Sequence, residues 1–291
     1  MSIPVTILGG FLGAGKTTAV NHLLRHARRR VGVLVNDFGA ISVDARLIEA
    51  AEGDLVALSN GCVCCAVGPD LGASLARVAA RRPDRIVVEA SGVADPWRVA
   101  QLVRLEPGVV LDAVLVLVDA SSFAEQLADR WLVDTLERQL ARADLVLLSK
   151  CDLASPDAAR AAVLRLRADA VVVEMQGGAL PDALLGRAHS PASRFIAEPP
   201  EHGFLTAFWP AEAAFDGVKL RALLASLPAS VLRAKGFCRI GPEGALHLLQ
   251  LVGRRWTLAP WARGAAPGLV LIGTDRMPAV DFAAAELTPR G

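Results

Sequence analysis

Short apolar runs punctuate the first two thirds of the chain, at residues 3–8, 31–35, 54–58, 85–89, 114–118, 145–148 and 170–173. Each is too short for a buried helix and suits a strand covered on both faces. Between them lie segments with helical spacing. Residues 17–30 carry Val20, Leu23, Leu24 and Ala27 on one side and end in Arg28, Arg29 and Arg30, basic groups where a helix C-terminus favours them. A further helix, ahead of the run at 85, has Leu71, Leu75 and Val78 on one face. Strand and helix alternating this often predict an α/β domain with a mainly parallel sheet.

The pattern changes near residue 187. Ser190-Pro191, Pro199-Pro200 and Gly203 mark residues 188–203 as a linker. Beyond it, residues 204–209, 237–240, 245–252 and 269–272 read as short strands, with helices over 218–227 and 280–287. The expected organisation is an α/β domain over 1–187, the linker, and a smaller α+β domain over 204–291.

Composition narrows the class. Hydrophobic residues make up 53% and charged residues 21% of the 291, which excludes disorder as the overall state. Mean hydropathy is high at +0.40, so a membrane span has to be considered. The richest run, 109–118, is interrupted by Asp112, and no uncharged stretch reaches the roughly 18 residues a span needs. The N-terminus has no basic segment ahead of an apolar one, so no signal peptide is expected and the cytoplasm is the expected compartment. Lys and Arg total 31 against 30 Asp and Glu, a balance that argues against nucleic acid or an acidic membrane as partner. Three of the five cysteines cluster at 62, 64 and 65, which points to metal or redox chemistry before a disulfide framework.

The first candidate site follows the first strand. Gly10-Phe11-Leu12-Gly13-Ala14-Gly15-Lys16-Thr17 fits the phosphate-loop pattern and opens an amphipathic helix. Glycines let backbone N–H groups turn inward onto phosphate oxygens, and the helix N-terminus adds positive potential. Lys16 reaches toward the β- and γ-phosphates, the Thr17 hydroxyl is a Mg²⁺ ligand, and Thr18 continues the cradle. Glu89 closes a buried strand and offers a carboxylate to the Mg²⁺ shell, with Gly92 placed for its N–H to approach the γ-phosphate. Glu89 as a mere strand-end cap is the alternative.

Ser149-Lys150-Cys151-Asp152 follows another buried strand and matches the guanine motif Asn-Lys-x-Asp except at its first position. Asp152 can accept both guanine N–H donors, and the Lys150 stem can pack along the base. Asn60-Gly61-Cys62-Val63-Cys64-Cys65 supplies three soft thiolates, suited to Zn²⁺ with one tetrahedral position left open. A redox pair or a buried apolar set are the other readings. Between these motifs, Asp37 and Asp44 lie in a polar stretch at a strand end, where a switch loop would sit. They can serve a metal, orient water, or simply form turns. His22 and His26, four apart on the first helix, read as solvated surface histidines. Trp209, Trp256 and Trp261 read as core or rim residues of the second domain.

Together these segments resemble the CobW-like metallochaperone GTPases, relatives of the urease and hydrogenase nickel-insertion GTPases. Gly9 to Thr18 is similar to that family's phosphate loop, Asn36-Asp37-Phe38-Gly39 to its Asn-Glu-Phe-Gly segment, and Gly61-Cys62-Val63-Cys64-Cys65 to its Cys-x-Cys-Cys motif. Glu89-Ala90-Ser91-Gly92-Val93-Ala94-Asp95-Pro96 and Arg233-Ala234-Lys235-Gly236-Phe237 resemble two further signatures, so the likeness spans nearly the whole chain. The resemblance implies GTP hydrolysis coupled to delivery of a divalent metal, zinc first and cobalt or nickel in some branches, to a client metalloprotein, with a homodimer as one assembly. It implies catalytic roles for Lys16, Thr17, Glu89 and Asp37. Three departures stand out: Ala40 replaces a second glutamate, Asp37 shortens the first, and only His189 and His202 flank the linker where relatives carry a histidine-rich tract. A small-molecule kinase or ATPase, and a nucleotide-dependent redox or metal sensor, are the alternative functions.

Overall fold

The computed structural model describes residues 2–27, 30–36, 55–58, 69–180, 182–185, 204–262, 265, 267–274 and 276–287. The chain divides into two compact units, Met1–Ala188 and His189–Gly291.

In the first unit, seven strands form one sheet: β1 (Ile3–Gly10), β2 (Val31–Asn36), β3 (Leu55–Leu58), β4 (Arg85–Glu89), β5 (Val109–Asp119), β6 (Leu145–Ser149) and β7 (Val172–Glu174). Their order is β3-β2-β4-β1-β5-β6-β7, and every ladder is parallel. The apolar runs are therefore strands whose two faces are both covered. Val5, Ile7, Ile86, Val88, Val114 and Val116 join a core with Leu71, Leu75 and Val78 of α2 (Pro69–Ala80) and Val99, Ala100 and Val103 of α3 (Pro96–Val103). By strand alternation Leu8, Val87, Leu115 and Leu117 turn to the opposite face, and all four are buried. The helix α1 (Lys16–His26) buries Ala19, Val20 and Leu23. It stops four residues short of the run expected from sequence, with Ala27 already extended. Among the described residues of this unit, the remaining α-helices are α4 (Phe123–Gln126), α5 (Val133–Leu140) and α6 (Asp157–Leu166).

β5 is longer than its apolar run suggests because it carries a buried acid. Its pairing with β1 shifts register between Val5 and Thr6, and the Thr6 hydroxyl donates to Asp112 Oδ2 at 3.4 Å. All seven strands point the same way, so their C-terminal ends gather along one edge. Leu8 lies beside Glu89, Gly10 beside Leu117 and Asp119 beside Ser149. That edge is where open α/β sheets place ligands.

The second unit is a six-stranded, mostly antiparallel sheet in the order β12-β11-β10-β13-β8, with β9 paired in parallel to β10. Its strands are β8 (Phe204–Trp209), β9 (Ala214–Phe215), β10 (Val231–Ile240), β11 (Ala245–Val252), β12 (Arg255–Pro260) and β13 (Gly268–Thr274). Helix α7 (Gly217–Ser226), capped by the Asp216 carboxylate at Val218 N and Lys219 N, packs Leu220 and Leu224 into a core with Phe215, Cys238, Leu249, Leu271 and Phe282. Trp209 and Trp256 border that core. At Gly236 the strands close so tightly that a Cβ would lie 1.9 Å from Gly268 O.

The helix expected over 280–287 is not formed. Only a single 3₁₀ turn, Ala283–Ala285, appears there. The segment instead bonds to β9: Asp216 N donates to Ala285 O, Leu287 N donates to Ala214 O, and Phe215 bridges Glu286. Pairing to a strand and burying Phe282 override the alanine-rich local preference. Among the described residues, no helix is long and apolar enough to cross a membrane.

Candidate functional site

The glycines of the loop after β1 do what the motif requires. Gly10, Gly13 and Gly15 have φ of +132°, +77° and +89°, conformations that side chains disfavour. A Cβ on Gly10 would also come 2.4 Å from Leu117 O, so the loop lies against β5. Gly15 caps α1 in the left-handed conformation, and the first turn has neither a side-chain cap nor an acid. Its N–H groups and dipole are thus available to an anion. Lys16 is 8% exposed, and its Nζ donates to Gly10 O at 2.8 Å and Phe11 O at 3.1 Å. The ammonium lies inside the curl of the loop, where phosphate oxygens would compete with those carbonyls for its protons.

Beside it, Thr17 Oγ1 donates to Glu89 Oε1 at 3.0 Å. Glu89 is 3% exposed at the end of β4. Two hard oxygen donors about 3 Å apart match neighbouring corners of an octahedron with Mg–O distances of roughly 2.0–2.1 Å, so the donor set fits Mg²⁺. The sheet register brings together residues 72 positions apart in sequence.

The turn after β4 packs onto the phosphate loop. A Cβ on Gly92 would lie 2.4 Å from Leu12 Cδ2 and 3.0 Å from Leu12 N. Asp95 then caps α3 by accepting from Trp97 N at 2.9 Å, with Pro96 in the first turn. Pro96 reaches β1, where a Cβ on Gly9 would fall 2.2 Å from its Cγ. Glycines at 9 and 92 thus permit the close approach of this turn to β1 and the loop that follows it.

Beyond β6, Ser149-Lys150-Cys151-Asp152 forms a strained turn. Lys150 has φ +56°, unusual for a residue with a side chain. Its Nζ pairs with Asp119 Oδ2 at 2.7 Å. Burial alone would push Asp119 up, but hydrogen bonds from Lys150 and Ser121 together outweigh it and hold the carboxyl below the usual range. The Ser149 hydroxyl, 3% exposed, donates to Ala14 O at 2.8 Å, with Val118 O at 3.3 Å. The residue that departs from the guanine motif therefore ties that motif to the phosphate loop. Asp152 is exposed and, among the described residues, makes no hydrogen bond or ion pair. Burial raises the Cys151 thiol, aided by the Glu174 carboxylate.

The structure thus brings Gly10, Gly13, Ala14, Gly15, Lys16, Thr17 and Glu89 together, with Gly92 against Leu12 and Ser149 against Ala14. Asp37, Asp44, Cys62, Cys64 and Cys65 lie outside the described residues. Among the described residues no group of three or more His, Cys, Asp or Glu is placed to hold a metal. His22 and His26 stack with centroids 4.2 Å apart, and His26 Nδ1 lies 2.8 Å from His22 O. They present ring faces to each other instead of converging lone pairs; His26 is exposed as expected, whereas His22 is half-buried with its Nδ1 out of solvent.

Sequence reasoning missed three contributors. Asp119 orients Lys150 from the end of the neighbouring strand. Gly177 and Gly178, both with positive φ, carry the loop after β7 toward the site, where a Cβ on Gly178 would meet Thr18 Cγ2 at 3.1 Å. A Gly-Gly pair after a short strand was the available signal. Gln139 of α5 donates to the carbonyls of Gly92 and Ala94 and carried no signal at all.

A family model described as CobW/HypB/UreG, nucleotide-binding domain matches residues 4–176, and one described as cobalamin synthesis protein cobW C-terminal domain matches residues 205–284. A protein of Pseudomonas aeruginosa named zinc chaperone CobW is 33% identical, covering 87% of this chain and 81% of its own. One of the same name from Sinorhizobium sp is 28% identical over 94% of each chain. Among solved structures, zinc-bound YjiA GTPase from E. coli aligns over 98% of both chains at 24% identity with a TM-score of 0.48.

Proposed function

The chain belongs to the CobW/HypB/UreG family, and from that premise we propose that it is a GTPase that carries a divalent metal and hands it to a client protein. The observation that carries the nucleotide half is the Thr17–Glu89 contact of 3.0 Å beside the Lys16 loop. Lys16 and the N-terminus of α1 bind the phosphates, and Gly92 meets the γ-phosphate. Thr17 and Glu89 would hold Mg²⁺, which when bound neutralises charge on the transferred phosphoryl group. Asp152 accepts the guanine N–H donors, and Lys150, steered by Asp119, lies along the base.

Cys62, Cys64 and Cys65 hold the cargo, for which zinc is favoured by three soft ligands and by the names of relatives at 33% and 28% identity. Asp37 and the stretch around it link nucleotide state to metal affinity. By linkage, bound metal then changes nucleotide affinity by the same factor. No arginine finger or water-orienting glutamine is evident from sequence, so basal turnover is slow and rises with metal, client or dimerisation. The cytoplasm is the compartment that suits three reduced thiols.

The test is zinc affinity measured by competition with GDP and with a non-hydrolysable GTP analogue. Equal affinities in the two states refute the coupling. Lys16→Ala should lose nucleotide and keep zinc, and Cys64→Ala the reverse. Preference for ATP over GTP, unchanged in Asp152→Ala, would instead indicate a kinase or ATPase.

A further inference from the structure

Helix α5 carries a buried amide that has no place in the chemistry above. Gln139 is 3% exposed, and its Nε2 lies 3.0 Å from Gly92 O and 3.1 Å from Ala94 O. Two carbonyl oxygens fix the orientation of the amide, because only its nitrogen can donate, and that nitrogen has two protons for the two acceptors. The carbonyls of a surface turn ordinarily look to water. Here a helix 47 and 45 residues further along the chain satisfies them.

The surroundings make these bonds matter. Phe11, Leu12, Leu136 and Leu140 line the same small cavity as Gln139. In apolar surroundings a hydrogen bond is strengthened and its loss leaves a carbonyl stranded. Leu12 also bears directly on Gly92. The turn is therefore held by both the phosphate loop and α5.

We propose that Gln139 is a positioning residue for the γ-phosphate. It fixes the backbone on the C-terminal side of Gly92, while Leu12 fixes the near side, so that the Gly92 N–H keeps one direction. The proposal rests on the reading that Gly92 meets the γ-phosphate. Gln139 touches no reacting atom. Its influence is confined to ligands that carry a γ-phosphate, which separates it from residues that merely hold the domain together.

The experiment uses the full chain and measures GDP affinity, affinity for a non-hydrolysable GTP analogue, and GTP turnover with Mg²⁺. Gln139→Met keeps the length and removes both donors. GDP affinity should stay within about twofold, while analogue affinity and kcat should fall roughly tenfold. Gln139→Glu adds a readout that a structural role would not move. Its carboxylate repels both carbonyls near pH 7.5, but a buried carboxyl beside two carbonyl oxygens holds its proton above the usual range. At pH 5.5 it regains one donor, so its turnover relative to wild type at the same pH should rise. This readout does not use Gln139→Met and stands even if that variant does not fold. Equal losses for GDP and analogue, no loss at all, or a flat relative pH profile for Gln139→Glu would overturn the proposal. A Gly92→Ala protein with full turnover would overturn the reading beneath it, whereas impaired Gly92→Ala beside an unaffected Gln139→Met refutes the role of Gln139 alone.

Discussion

Removing the Ser149 hydroxyl should weaken GDP and GTP binding by the same factor. That hydroxyl has one proton, given to Ala14 O at 2.8 Å in a site where Ser149 is 3% exposed. Ser149→Ala deletes one oxygen, leaves almost no cavity, and strands a carbonyl on a residue only 1% exposed. The lost bond and the unsatisfied acceptor together cost about 1–3 kcal/mol. Part of that appears as lower stability of the free protein, read by urea unfolding. The rest appears when phosphate demands the same loop shape, and corresponds to a fall of up to about tenfold in affinity for a fluorescent GDP analogue. Ala14 belongs to the turn that cradles phosphates common to both nucleotides, so the GDP and GTP effects should match within about twofold. An unchanged variant, or a loss restricted to GTP, refutes the idea that Ser149 anchors the loop. The opposite pattern expected at Gln139 makes the two variants mutual controls.

Three other perturbations follow from the same geometry. Gly10→Ala places a Cβ 2.4 Å from Leu117 O at φ +132°, and should abolish nucleotide binding in calorimetry while far-UV circular dichroism stays close to wild type. Gly236→Ala places one 1.9 Å from Gly268 O and should destabilise the second unit by roughly 3 kcal/mol or more, seen as an early unfolding transition while nucleotide affinity holds. Asp119 has a lowered pKa when folded, so the stability it contributes is complete above the unfolded value near 3.9 and is lost as pH falls through the folded value below it. Asp119→Asn should therefore show a shallower loss of urea stability on acidification below about pH 4.

The parallel sheet was legible because strands buried on both faces must be nearly continuous in apolar residues, and 85–89 and 145–148 are. The phosphate loop was legible because its chemistry is local: glycines, a lysine and a threonine within eight positions. What escaped is non-local. Gln139 sits in α5 among Glu137 and Arg138 and reads as one more solvated residue, since its partners lie 45 and 47 positions away. β12 was missed because Arg255, Thr257 and Pro260 suit an exposed edge, and edge strands need no apolar run. The start of β10 at Val231 was hidden by Arg233 and Lys235, basic residues inside a strand. At 280–287 the alanines favoured a helix, and pairing with β9 decided otherwise.

The place of β1 in the sheet has a consequence for how the protein is made. β1 emerges from the ribosome before both of its sheet neighbours, β4 and β5. Translation at roughly 5–20 residues per second leaves several seconds between the emergence of β1 and that of both partners. Until β4 emerges, a seven-residue buried run, from Pro4 to Gly10, has neither of its neighbours to pair with. The nascent chain is most exposed to aggregation, and most in need of a holding chaperone on the ribosome, while the strand that leads into its phosphate loop waits for a lattice still being built. Truncations ending before Asp119 should remain protease-sensitive along their whole length, and nucleotide can act as a folding ligand only after that point.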